Sequence, residues 1–333
     1  MHTNSGIMML MMNNVWEKLT YENIFSSVEK IISSRLLNIC IKRNSYINRV
    51  YELEKYDNNE RLIVKFYRPG RWTQEMILEE HSFVNDLAKN EIPVIPPVNI
   101  DNNTLFDFDG IYFALFNKKG GRALDEFDKE GWKGIGRLLG RIHLISKHRE
   151  KSNRIVWRPN TATSHHLDIL VGTKAILPDF ENSFLSASRA FIDFAEKRFS
   201  ETEPVSILIH GDCHRGNFIH RPGEGVYLVD FDDICQGPPV QDLWMLLPDT
   251  VEKSQNELSW FFEGYETFNQ FDRASLELIP ILRGMRLIHF ASWCAIQKDE
   301  PHFDQHFHDW GSKRYWNELI KDLNGIIYAP DEE

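Results

Sequence analysis

The sequence predicts an α+β fold built as two lobes. Three observations carry that expectation. Segments rich in Val, Ile, Tyr and Phe with strand-like patterning crowd into the first third of the chain. Beyond it, apolar residues recur at helical spacing over most of the remaining length. Between the two regimes, residues 117–122 carry the break Gly120-Gly121. Runs of strands followed by runs of helices are the pattern of an α+β body. The expected partition is an N-terminal extension over 1–25, flexible in character, a strand-rich N-terminal lobe over 26–118, and a mostly helical C-terminal lobe over 119–333.

The elements follow in order. Residues 1–14 offer no pattern, and residues 15–37 have a helical rhythm. Residues 46–53 and 61–67 read as strands, with Asp57-Asn58-Asn59 suited to the loop between them. Thr73 is a fair N-cap for a helix running to about Lys89. Pro93, Pro96 and Pro97 punctuate the chain, and Asp109-Gly110 sits at the tip of a second hairpin over 104–116. Ile135, Leu138, Leu139, Ile142 and Ile145 fall on one face of a buried helix, and residues 184–199 form another. Residues 208–233 interrupt the helices with short strands around a loop, after which 242–247, 258–268, 276–296 and 315–327 are helical again.

Composition bounds the function. Over 333 residues, 42% apolar and 12% aromatic content is enough for a substantial core, which sets disorder aside. The net charge of −11 is the wrong sign for a general nucleic-acid or anionic-membrane binder. No run approaches the length of a membrane helix, and the short apolar stretch at residues 7–12 lacks the basic region and cleavage site of a secretory signal. Cys40, Cys213, Cys235 and Cys294 are scattered with no CxxC pair, which reads as free thiols in a reducing, cytoplasmic setting. Cys213 and Cys235 flank the site described next; as small buried hydrophobes they need no chemical role.

The most informative stretch is His210-Gly211-Asp212-Cys213-His214-Arg215-Gly216-Asn217, followed by Val229-Asp230-Phe231-Asp232-Asp233. An Asp is followed five residues later by an Asn, and thirteen after that by an Asp closing an apolar run. Phosphoryl transfer from a nucleotide needs this set: one carboxylate to orient and deprotonate a hydroxyl, and an amide oxygen with a second carboxylate to hold magnesium on the phosphates. Asp212 takes the first role, Asn217 and Asp230 the second. Singly, each is an ordinary polar turn residue; the joint spacing makes the case. Zinc ligation by His210, Asp212, Cys213 and His214 fits the downstream Asn and Asp poorly.

Lys65 lies inside the apolar strand Leu62-Ile63-Val64-Lys65-Phe66-Tyr67, where an unpaired cation is costly. Met76, Glu80, Phe83 and Leu87 are spaced 4-3-4, which puts Glu80 in the middle of a buried helix stripe. A buried Lys and a buried Glu suggest an ion pair that presents Lys65 to nucleotide phosphates. No G-x-G-x-x-G precedes Lys65; Ser45, in the turn at 42–49, is the candidate to cap a phosphate. His302, His306 and His308 read as a surface cluster, and His143 as a satisfied structural histidine.

These motifs resemble the aminoglycoside phosphotransferase/choline kinase branch of the protein kinase-like fold. Within it, Asn44-Ser45-Tyr46-x-Asn48-Arg49, Val64-Lys65-Phe66-Tyr67-Arg68-Pro69-x-Arg71-Trp72, Gly237-Pro238-x-Val240-Gln241-Asp242 and Arg283-x-Met285-Arg286-Leu287 resemble the bacterial stress response kinase A family, from about residue 45 to 316. The resemblance implies a protein kinase-like two-lobed fold and an ATP- and Mg2+-dependent Ser/Thr protein kinase. It would be cytoplasmic and monomeric, with a role in stress and cell-death control. It also implies that Asp212 accepts the proton, that Asn217 and Asp230 bind magnesium, that Ser45 contacts ATP, and that backbone near Leu115 and Asn117 receives the adenine. Arg215 departs from the small residue or proline expected there, and Asp232 stands in place of the glycine of Asp-Phe-Gly, as is common in this branch.

Only eleven residues separate Asp230 from Asp242, and no Ala-Pro-Glu follows, so there is no room for a long phosphorylated activation loop. Two other readings remain open. In the first, the acceptor alcohol belongs to a small molecule, which acidic residues such as Asp299, Glu300 and Asp304 would favour if it is cationic. Alternatively, the chain is a non-catalytic scaffold, against which the retained Lys65, Asp212, Asn217 and Asp230 argue.

Overall fold

The computed structural model describes residues 16–124, 126–149, 152–300 and 303–328. The chain divides into two compact units. One is formed by residues up to Leu124 together with Asn217–Asp232, the other by Asp125–Gly216 and Asp233–Glu333.

The first unit is built on a five-stranded antiparallel sheet in the order β1-β2-β3-β5-β4, with β1 Leu36–Arg43, β2 Arg49–Lys55, β3 Arg61–Phe66, β4 Phe106–Phe108 and β5 Ile111–Asn117. Strand alternation sends Tyr51, Leu53, Val64 and Phe66 into one core, with Phe113 and Leu115 from β5. Helix α1, Tyr21–Ile32, covers that core with Ile24 and Val28, and the Thr20 hydroxyl caps its first turn by accepting from the Asn23 N–H. Each such fully buried side chain contributes about 1.5–3 kcal/mol relative to exposure. Residues 16–25 were expected to belong to a flexible extension; here they form a short 3-10 turn and the start of α1, with Ile24 fully buried. The expectation for residues 1–14 lies outside the described residues.

Helix α2, Gln74–Lys89, starts at the expected Thr73 cap and buries Ile77, Glu80, Phe83, Val84 and Leu87. A small three-stranded sheet joins β6, Arg122–Ala123, to the hairpin formed by Phe218–Arg221 and Gly225–Leu228. The Leu228 N–H donates to the Pro93 carbonyl at 3.1 Å. These bonds explain why 217–232 packs with the first unit, although sequence order alone places it far beyond the 118/119 boundary.

The second unit is helical: α3 Lys129–Ser146, α4 Ser164–Gly172, α5 Pro178–Thr202, α6 Gln255–Tyr265, α7 Ile279–Gln297 and α8 Lys313–Ile327, with shorter helices at Gln241–Trp244 and Phe303–His306. Of the apolar stripe read from 135–145, Ile135, Leu138, Leu139 and Ile142 are buried and Ile145 is half-buried, and Asp128 caps α3 through the Gly131 N–H at 2.8 Å. Helix α6 lies so close to α3 that a Cβ at Gly136 would come within 2.1 Å of the Phe261 carbonyl oxygen. A two-stranded pair, Ile207–Ile209 with Cys235–Gly237, brackets the 210–216 loop. Strand β1 and helix α4 were not anticipated. Leu36 and Leu37 continue the helical rhythm of the preceding segment, so periodicity hid the strand that follows.

Candidate active site

In the first unit, β2 and β3 present Val50, Ile63 and Lys65 on the face opposite the core, above a cavity of about 400 Å³. That volume lies in the range of small-ligand sites. Ser45, Lys65, Glu80, Asn117 and Asp230 all line it.

Lys65 Nζ lies 3.6 Å from Glu80 Oε1, so the pairing read from helix phase is present. It lies 3.7 Å from Asp230 Oδ1 and 2.8 Å from Asp232 Oδ1. Burial alone would drive the ammonium toward neutrality, but Asp232 and Glu80 reverse this and raise its pKa well above the ordinary lysine value. Lys65 therefore stays charged.

Asp230 is delivered by the hairpin. Its backbone sits in the left-handed region at φ 64°, unusual for a non-glycine residue and frequent at functional positions. Its side chain is 58% exposed, whereas that of Asp232 is 5% exposed. Asn217, buried at the other end of the hairpin, accepts the Val229 N–H on its carbonyl at 3.0 Å, which ties it to the residue before Asp230. Among the described residues, no group of three or more His, Cys, Asp or Glu side chains is arranged to hold a metal by itself. The amide of buried Asn217 and the exposed carboxylate of Asp230 are donor types that suit magnesium, which keeps waters and takes substrate phosphates as ligands.

Leu115 does not line the cavity. Its side chain is fully buried in the core, and its carbonyl accepts the Val98 N–H at 2.7 Å. Asn117 does line it. The Lys118 N–H donates to Arg61 at 3.0 Å, so antiparallel alternation points the Asn117 backbone away from β3.

Sequence reasoning missed Glu52. Its side chain is 1% exposed beside the cavity and is paired with Arg43, Arg61 and Lys118. Burial would raise its pKa, but the three cations, Lys118 foremost, pull it down to about 2. In-phase placement with Val50 was the available signal.

In the second unit, Asp212 follows the strand Ile207–Ile209. Gly211 has φ +81°, and a Cβ there would come within 2.2 Å of the Asp233 carbonyl oxygen, so glycine is required for the turn into Asp212. The buried Asp242 carboxylate accepts the His210 N–H at 2.8 Å and the Gly211 N–H at 2.9 Å. His143 Nε2 lies 3.0 Å from the same carboxylate, and its Nδ1 lies 2.9 Å from the Tyr265 hydroxyl. His143 is thus structural, with both ring nitrogens engaged.

Arg286, from α7, donates to Asp212 Oδ1 at 2.7 Å, and His214 Nε2 lies 3.6 Å from Oδ2. Burial works to raise the Asp212 pKa, but His214 and Arg286 outweigh it and hold the group well below the usual carboxylate range. Arg215 directs its guanidinium to the Leu246 carbonyl and the Phe127 ring. Burial pushes the Cys213 and Cys235 thiols well above their ordinary pKa, which keeps both unreactive at neutral pH.

A family model described as the phosphotransferase enzyme family matches residues 41–279, spanning the Lys65, Asp212, Asn217 and Asp230 motifs. The chain belongs to the phosphotransferase enzyme family. This phosphotransferase is 36% identical over 277 residues to stress response kinase A of Escherichia coli (strain K12), covering 82% of each chain. It is 34% identical, with the same coverage, to the serine/threonine protein kinase RdoA of Salmonella typhimurium. Among solved structures it is similar to amicoumacin kinase hAmiN in complex with AMP-PNP, Ca2+ and Ami, with TM-score 0.74 and 18% identity over 96% of each chain. It is also similar to choline kinase LicA from Streptococcus pneumoniae, with TM-score 0.67 and 18% identity over 92% of this chain and 99% of that one. At these identities the structures establish the fold alone, and it is the α+β, protein kinase-like fold expected from the sequence.

Proposed function

We propose that this phosphotransferase moves the γ-phosphoryl group of ATP to a Ser or Thr hydroxyl on a protein. The observation that carries the reading is the cavity of the first unit: a charged lysine held by Glu80 shares it with Asp230, on the hairpin that also carries Asn217. Lys65 would hold nucleotide phosphates, Ser45 would cap one of them, and Asn117 would offer backbone to the adenine. Asn217 and Asp230 would hold Mg2+, which when bound neutralises charge on the transferring group.

Asp212 would orient the acceptor hydroxyl and take its proton late. A carboxylate kept strongly acidic by Arg286 and His214 is a weak base. In a loose phosphoryl-transfer transition state positioning matters more than basicity, so a weak base suffices. Protein rather than small molecule as acceptor is supported by the relative named serine/threonine protein kinase RdoA. The choline and amicoumacin kinases similar in fold motivate the alternative, a small-molecule alcohol.

Cytoplasmic placement is supported by four free cysteines. No helix among the described residues is long and apolar enough to cross a membrane. We take the working unit to be a monomer.

The test is radiolabelled ATP with Mg2+ and the protein alone, with a generic protein substrate, and with a panel of amino alcohols, sugars and aminoglycosides. Label on protein Ser or Thr supports the reading. Label on a metabolite alone moves the assignment to small-molecule kinase, and no transfer despite nucleotide binding moves it to a scaffold.

A further inference from the structure

Asp232 takes the place of the glycine of Asp-Phe-Gly, and side chains engage both of its oxygens. Its Oδ1 lies 2.8 Å from Lys65 Nζ, closer than Glu80 at 3.6 Å or Asp230 at 3.7 Å. Its Oδ2 accepts from Asn48 Nδ2 at 3.0 Å and from the Arg71 guanidinium. Asn48 is itself fixed, because its Oδ1 accepts the Arg68 N–H at 3.1 Å. Asp232, Asn48 and Lys65 are each buried to a tenth exposure or less.

Two consequences follow from charge and geometry. With both oxygens occupied by side chains, Asp232 is not the exposed metal-holding group; that role falls to Asp230. Moreover, a lysine that turns toward a polyphosphate leaves its buried carboxylate partner uncompensated, and stranding such a group is costly. Arg71 supplies a second cation on the opposite oxygen, so Asp232 stays neutralised when Lys65 turns away.

We propose that Asp232, anchored by Arg71 and Asn48, is a positioning residue that acts through Lys65, setting where the ammonium rests and letting it engage the nucleotide phosphates. The proposal rests on the reading of Lys65 as the phosphate-holding cation. It gives Asn48 and Arg71, both bonded to Asp232, a defined role in nucleotide binding.

The experiment compares two affinities on the full chain with Mg2+: a non-hydrolysable ATP analogue, which reaches Lys65, and adenosine, which lacks phosphates. Arg71→Gln and Asp232→Asn are expected to weaken the analogue by about tenfold, the size of one lost charge-assisted bond, and to leave adenosine within about twofold. Arg71→Lys restores most of the loss. Asn48→Ala lowers the ratio by a smaller factor, and serves as the second variant should Arg71→Gln fail to fold. In turnover assays the KM for ATP rises while kcat at saturating ATP changes by less than about threefold. A purely structural role would move both affinities together; parallel changes, or no change in either, overturn the proposal. Lys65→Ala separates the two levels. If that variant keeps the wild-type ratio, the phosphate-site reading itself fails. If it collapses the ratio while Arg71→Gln and Asp232→Asn do not, only the role of Asp232 fails.

Discussion

Replacing Asp242 tests how the second unit holds the loop that carries Asp212. The carboxylate is fully buried and has three partners: the His210 N–H at 2.8 Å and His143 Nε2 at 3.0 Å on Oδ2, and the Gly211 N–H at 2.9 Å on Oδ1. Asp242→Asn keeps one oxygen, which can serve the first two partners, and turns an NH2 toward the third. One buried backbone N–H is then left facing a donor. An orphaned buried donor costs about 1–3 kcal/mol. Bonds to a charged acceptor are the stronger kind, so we expect a loss of about 2–3 kcal/mol. Asp242→Ala removes all three bonds and should cost about 4–5 kcal/mol, a large share of the ~5–15 kcal/mol available to a folded domain. Urea unfolding monitored by tryptophan fluorescence reads both, with the slope unchanged if only native stability is altered. Turnover at saturating ATP should fall as well, because Gly211 leads directly into Asp212. An Asn variant within about 0.5 kcal/mol of wild type would refute this account of the loop.

Gly211→Ala must accommodate a methyl 2.2 Å from a carbonyl oxygen at a φ of +81°; turnover should collapse with melting temperature lowered by several degrees, and wild-type turnover in this variant would contradict the turn geometry. Glu52, depressed to about 2, contributes stability that is fully present above its ordinary pKa near 4.5 and is lost as pH falls through about 2. Glu52→Gln should therefore cost about 1–2 kcal/mol at pH 7, a figure discounted because Arg43 and Arg61 are nearly half-exposed, and the cost should shrink on acidification across that window. Chemical denaturation from pH 7 to pH 2.5 checks the trend; a pH-independent difference would show that charge is not the cause. Protein treated with a phosphatase should keep full activity, since the eleven residues between Asp230 and Asp242 leave no regulatory loop to phosphorylate; large activation by phosphorylation at 233–242, read by mass spectrometry and assay, would overturn that.

What the sequence made legible depended on how local the signal was. Helix phase found Glu80, because 4-3-4 spacing is set by one element. Strand composition pointed to Lys65, and motif spacing singled out Asp212, Asn217 and Asp230. Asp232 was seen only as a departure from glycine: its partners Asn48 and Arg71 lie 184 and 161 residues away, and no local pattern reports such a pairing. Arg286 was noted as part of a motif, but its bond to Asp212 spans 74 residues. Glu52 looked like one more charge on a strand whose neighbours Arg49 and Glu54 are also charged, yet alternation placed it in phase with Val50. Leu115 was placed at the nucleotide by the family resemblance; the Val98 N–H on its carbonyl is a tertiary fact.

The central claim is that Asp212 handles the acceptor while Lys65, Asn217 and Asp230 handle the nucleotide and its metal. Single-turnover transfer of the γ-phosphoryl group, measured beside ATP affinity for wild type and Asp212→Ala, addresses it most directly. The account predicts a fall in transfer of about a thousandfold or more, with ATP affinity within about threefold of wild type. Transfer at the wild-type rate, or affinity lost in step with transfer, would contradict it.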